Sequence, residues 1–173
     1  MNAVLQAMKE RRSVRAYQDK PVPRDAIERI CEAGTYAPTG MGFQSPVILA
    51  VTNRQLRDRL SAMNARIMGR DADPFYGAPV VLVGLADKSR GTYLYDGSLV
   101  MANLMLAAHA EGLGSCWIHR AKEEFESEEG KAILKELGIE GDYEGIGHCI
   151  LGYADGPVPE AKPRKADYVK WVE

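Results

Sequence analysis

Residues 93–114, YLYDGSLVMANLMLAAHAEGLG, constrain the fold more than any other stretch of the chain. Asp96 or Ser98 is placed to start a helix and Gly112 to end it, and between them apolar side chains occupy nearly every face. A helix of that kind has to be covered on all sides, in a deep core or against another chain. A chain of 173 residues makes a single domain, 1–173, able to bury roughly two thirds of the surface its unfolded form exposes. That core is small for the task, so the pattern predicts a partner subunit beside this helix. The run does not read as a membrane span, because residues 99–108 are interrupted by Asn103 and fall well short of about 18 apolar residues.

Around this helix the hydrophobic periodicity places short elements of both kinds. Val4, Leu5 and Met8 form one face of a first helix behind an Asn2 cap, and Ile27, Ile30 and Cys31 form the face of a second, closed by Gly34. Leu56, Leu60, Met63 and Ile67 line a third, and SEEGKAILKELG, closed by Gly138, reads as a last one. Residues 47–52 and 80–86 are continuous apolar runs that read as buried strands, with 115–119 and 147–154 as two more. APTGMGFQSP, 37–46, is a loop poised on a strand edge, and GRDADPFYGAP, 69–79, is a connector. The sum is one α+β domain with helices packed on a sheet of four or more strands. The tail after Gly156 carries four apolar residues in its last six, too few to fold alone and too apolar to leave in water, so it is expected to dock, on a second chain by preference.

Charge narrows function by exclusion. With 22 Lys and Arg against 24 Asp and Glu, the net charge of -2 argues against a nucleic-acid binder. Cys31, Cys116 and Cys149 are an odd number without CxxC spacing, which points to a reducing compartment, and no secretory leader is legible at the start, so a cytoplasmic location is expected. GxGxxG between strand and helix, GxxxxGK[ST] and GxSxG are all missing. A zinc site from Cys116, His119, His148 and Cys149 is disfavoured because adjacent residues of a strand point to opposite faces; these side chains read as packing. No metal is expected.

What remains is cationic. ERRSVRAY, 10–17, sets Arg11, Arg12 and Arg15 around Ser13, and AKPRKAD near the other end adds Lys162, Arg164 and Lys165. Either cluster alone is ordinary solvated charge. Converging, Arg11, Ser13 and Arg164 would make a discrete phosphate site, since a planar guanidinium binds phosphate through paired hydrogen bonds. That suits a mononucleotide.

RRSVRAY, the APTGMGFQSP loop, the apolar helix running into EGLGSCWI, and GYADG followed by KPRK occur in the order seen in the nitroreductase family, and the resemblance spans nearly the whole chain. It implies a three-layer α+β sandwich of helices around a mostly antiparallel sheet, non-covalent FMN at the interface of a homodimer, and a C-terminal tail laid on the partner subunit. It further implies NAD(P)H as reductant, ping-pong transfer, and a nitroaromatic, quinone or other small aromatic acceptor. By resemblance, Arg11, Arg12 and Ser13 lie on the phosphate and ribityl side, Arg15 beside the flavin pyrimidine edge, and Lys162 and Arg164 are late phosphate contacts. Pro38, Thr39, Gly40 and Gln44 would approach the flavin from the neighbouring subunit. Trp117, Ile118 and His119 would lie along it, with the backbone of His119 and Arg120 near N5; no catalytic acid or base side chain is nominated. Met41, Phe43 and Tyr76 are candidate pocket residues. The chain departs from the family pattern at Gly42, where Asn is common, and at Ser45 and Pro46. A flavin-binding sensor or storage protein, and a dehalogenating or flavin-cleaving relative, are the alternative readings.

Overall fold

The computed structural model describes residues 2–173. Its elements follow in the order α1 (Ala3–Glu10), α2 (Arg24–Thr35), a 3-10 turn (Gly40–Gly42), β1 (Pro46–Val51), α3 (Arg54–Met68), β2 (Val80–Asp87), α4 (Tyr93–Ala110), β3 (Gly114–Ile118), α5 (Ala121–Glu126), α6 (Glu128–Glu136) and β4 (Tyr143–Gly152). The strands form one sheet in the order β1-β2-β4-β3, and every neighbouring pair is antiparallel.

Alternation along β2 divides the core into two layers. Val81, Val83 and Leu85 face Leu60 and Met63 of α3, Phe125 of α5 and Ile133 of α6, while Val80, Leu82 and Ala86 face Ile27 and Ile30 of α2 and Val100, Met101 and Leu104 of α4. The result is the expected helix–sheet–helix sandwich, and each fully buried Leu or Ile contributes about 1.5–3 kcal/mol to it. On β4, His148 stacks obliquely on Phe75 in the first layer and Cys149 belongs to the second, as the two-residue period of a strand requires.

Helix ends follow sequence chemistry where a short polar side chain is free to cap. The side chains of Asn2, Asn53 and Ser127 accept from Val4, Leu56 and Gly130 N–H at the starts of α1, α3 and α6. Two expectations need correction. Neither Asp96 nor Ser98 starts α4, which begins at Tyr93; Asp96 is turned towards Thr92 and Gly40, and Ser98 donates back to Leu94 O at 2.7 Å. Gly34 lies inside α2, where it serves close packing: a Cβ there would sit 2.7 Å from the Leu104 side chain. The short α5 was not legible, because KEEFE offers only Phe125 to mark a face.

The α4 helix buries Val100, Met101, Leu104 and Ala108 but leaves Leu94, Tyr95 and Leu99 open, as α1 leaves Val4, Leu5 and Met8. Residues 155–173 are exposed throughout, and the polar contacts within 156–173 run between its own members, such as Lys170 with Asp167. No helix among the described residues is long and apolar enough to cross a membrane.

Candidate active site

The arginine-rich stretch is strapped to the sheet. Val14 N–H donates to Ser115 O, Gln18 N–H to Tyr153 O and Asp155 N–H to Ala16 O, each at 2.9 Å, so residues 13–18 run from the outer edge of β3 to the end of β4. Val14 is thereby buried and Arg15 left in the open. Tyr17 anchors the strap by donating its hydroxyl to Val14 O at 2.8 Å, and burial pushes that phenol well above its ordinary range. Arg11 is half-buried, and its Nη1 is shut from solvent without a hydrogen-bond partner among the described residues. Arg12 is divided: its Nη1 donates to Lys9 O and Arg11 O, both at 2.6 Å, closing the end of α1, while its Nε, like Arg11 Nη1, is shut from solvent without a hydrogen-bond partner among the described residues. Ser13 is half-buried and pairs with Ser115.

Off the end of β3 lies a cavity of about 370 Å³. Arg15, Trp117, Ile118, His119 and Arg120 line it, joined from the connector by Arg70, Asp73 and Tyr76. The sequence nominated Arg15 and Trp117 to Arg120 as one group, and the structure brings them together. It adds Arg70, which sequence reasoning passed over as connector. Asp73 does not neutralise this wall. Burial works to raise its carboxyl, but Arg57 Nη2 at 2.6 Å, Ser61 Oγ at 2.6 Å and the N–H groups of Gly77 and Phe75 outweigh it and hold the group below the usual carboxylate range. Asp73 thus ties the connector to α3.

Behind residues 118–120 sits a polar cluster inside the first core layer. His148, Glu124 and Asn64 are fully buried. His148 Nδ1 meets Ile118 O at 3.3 Å and Nε2 meets Glu124 Oε2 at 3.0 Å. Asn64 Nδ2 donates to Glu124 Oε1 and to His119 O, the latter at 2.8 Å, while Asn64 Oδ1 accepts from Arg120 Nε at 2.8 Å. Sequence reasoning took His148 for a satisfied core histidine and missed Asn64 and Glu124. The one signal was Asn64 standing beside the apolar stripe of α3.

The 37–46 loop lies elsewhere. Thr39 and Gln44 line a separate cavity of about 360 Å³ with Cys31, Ile48 and Val100. Gly40 N–H donates to Asp96 Oδ1 at 3.0 Å, Thr92 donates to Asp96 Oδ2 at 2.9 Å, and Thr39 Oγ1 accepts from Gln44 N–H at 3.0 Å. Pro38 and Met41 are exposed, and Phe43 lies under the Arg90 guanidinium at 4.2 Å. Lys162 and Arg164 stand in the exposed tail, with no contact joining them to Arg11 among the described residues. Within one chain, then, the predicted residues fall into three separate groups.

The nitroreductase family pattern matches residues 8–74 and 64–153. The chain belongs to the nitroreductase family. A nitroreductase from Bacteroides fragilis with bound FMN superposes over 100% of both chains with a TM-score of 0.89 at 32% identity. A second FMN-bound nitroreductase, from Desulfitobacterium hafniense, covers 100% of both chains with a TM-score of 0.88 at 27% identity. A Methanothermobacter thermautotrophicus protein provisionally named NADH dehydrogenase/NAD(P)H nitroreductase is 33% identical over 119 residues, which are 66% of this chain and 59% of that protein. The chain therefore spans little more than half the length of that curated relative.

Proposed function

We propose that the chain is an FMN-dependent NAD(P)H oxidoreductase working as a homodimer, with a nitroaromatic, quinone or similar small aromatic acceptor. One observation carries the reading: in a chain of this family, the Arg15 guanidinium and the 117–120 segment converge on a single open cavity. The residues fit the cofactor, since Arg11 Nη1 is a buried donor without a partner, Arg15 is an uncommitted cation, and Trp117 and Tyr76 offer aromatic walls.

FMN, when bound, supplies the hydride acceptance and donation; the chain supplies position and charge. Arg11 and Ser13 hold the phosphate side, completed by Lys162 and Arg164. Arg15 would set a fixed cation beside the pyrimidine edge, where it favours the electron-rich state of the group. The backbone of His119 and Arg120 offers N–H donors at N5. Trp117 and Tyr76 exclude water from one side of the cavity and leave the other open to nicotinamide and acceptor in turn. The second chain covers Leu94, Tyr95 and Leu99, receives the tail, and contributes Thr39, Gly40 and Gln44, which accounts for the three separate groups seen within one chain.

The test is optical. Purified protein should be yellow, bleach on anaerobic addition of NADH or NADPH, and recover its colour on addition of a quinone or nitroaromatic. A colourless protein whose melting temperature is unmoved by saturating FMN would sink the reading.

A further inference from the structure

The 118–120 backbone carries more support than a strand end needs. Ile118 O points towards β4, where His148 Nδ1 meets it at 3.3 Å, and His119 O points towards α3, where Asn64 Nδ2 donates to it at 2.8 Å. No peptide bond among the described residues is cis, and in a trans peptide the N–H lies opposite the preceding carbonyl. Fixing Ile118 O therefore turns the His119 N–H away from β4, and fixing His119 O turns the Arg120 N–H away from α3. Arg120 itself adopts φ 79, a left-handed conformation that costs a non-glycine residue about 1–2 kcal/mol and persists only where its surroundings over-determine it. Those surroundings are at hand, because Asn64 Oδ1 holds Arg120 Nε at 2.8 Å while Asn64 Nδ2 holds the carbonyl one residue earlier.

Asn64 is held in turn. Glu124 Oε1 accepts from its amide and Glu124 Oε2 lies 3.0 Å from His148 Nε2, so neither amide nor imidazole is free to rotate. All three side chains are fully buried, beside a core layer of apolar residues such as Leu60, Val83, Phe125 and Ile150. An apolar trio of like volume would pack there at no loss and often with gain, so stability does not explain a buried carboxylate in that place. Orientation does.

Resting on the FMN reading above, we infer that Asn64, Glu124 and His148 are positioning residues that preset the His119 and Arg120 N–H groups towards the flavin N5. Asn64 is the hinge pin, in contact with both residues; Glu124 and His148 lock its amide. None of the three touches the cofactor. Their effect is on how readily N5 accepts a nucleophile or hydride, since an aligned N–H donor stabilises the charge that arrives there, and a preset donor needs no reorganisation when it does.

Sulfite, which adds at N5 of oxidised flavin and bleaches it, reads this directly without turnover. In the FMN-loaded full chain, Asn64→Leu should weaken sulfite binding by about tenfold, the loss expected when one hydrogen bond at N5 goes out of line. Glu124→Gln keeps the shape and removes the charge, and should shift the same constant in the same direction by about threefold. Ile133→Val, in the same core layer but away from residues 118–120, should lower the melting temperature and leave sulfite affinity alone. Wild-type sulfite affinity in both variants, with FMN bound, overturns the inference. Equal weakening in Ile133→Val overturns it as well, because the effect would then be general loosening. A wild-type chain that takes up no FMN removes the parent reading and this one together.

Discussion

Two segments nominated for the same cofactor are built in opposite ways. Residues 117–120 run off the end of the edge strand β3 and are backed by a buried histidine, glutamate and amide, so the Ile118 and His119 carbonyls have partners in the core. Residues 38–44 lie on the surface, with Met41 91% exposed and three residues, Met41, Gly42 and Gln44, at φ between 51 and 69. The Asp96 side chain holds that loop from below at Gly40 N–H, and the Arg90 guanidinium lies over Phe43 at its far end. The difference lies in what holds each backbone. Buried polar contacts fix the first in one geometry, whereas the second, on the surface with few contacts to the rest of the chain, is free to adjust.

The contrast can be broken at its stronger end first. Phe75 is fully buried and its ring lies 5.0 Å from that of His148, next to Tyr76 of the cavity wall. Phe75→Ala should cost about 3–5 kcal/mol in urea unfolding. It should also raise amide exchange at residues 118–120 while the 38–44 loop keeps its wild-type rate; equal loosening of both would erase the distinction. At the weaker end, Asp96→Ala leaves Gly40 N–H and the Thr92 hydroxyl without their acceptor and should cost about 1–3 kcal/mol. Limited proteolysis should then cut within 38–44 before any global unfolding, and a cut pattern unchanged from wild type would deny Asp96 its role. The smallest effect belongs to Gly42. It sits at φ 69 with no atom within 4 Å of where a Cβ would be, a left-handed position that Asn tolerates better than any residue but glycine. Gly42→Asn should change stability by less than about 1 kcal/mol and leave the fold intact. A larger loss would mean that the loop is held more tightly than its contacts indicate.

The same two segments show what could be read from the sequence. The strands around 47–51 and 80–87 and the last strand were legible because their period is local and their composition apolar. So was the grouping of Arg15 with residues 117–120, though by resemblance and not by spacing, since more than a hundred residues separate them. The strapping of residues 13–18 to the sheet was not, since Arg11, Arg12 and Arg15, in and beside it, hide any strand pattern there. Nor was the cluster of Asn64, Glu124 and His148. Its members come from α3, α5 and β4, no spacing links them, and α5 is too short to announce a face. Arg12 shows what spacing leaves out: it was grouped with its neighbours for the cofactor, and its Nη1 is turned back onto the end of its own helix. Asp96 was legible as a capping residue and turned out to cap a loop 56 residues away in place of its helix.

The tail has a practical consequence. The chain holds two tryptophans. Trp117 lines the cavity at the end of β3, and Trp171, 85% exposed, stands in the tail. The molecule therefore carries two optical labels of its own, one for each end of its chemistry. Emission from Trp171 is that of a wetted indole until something covers the tail, whereas Trp117 answers to whatever enters the cavity. Replacing either by phenylalanine leaves a single-colour instrument, so that docking of the tail and filling of the site can be timed separately in one cuvette, without a dye.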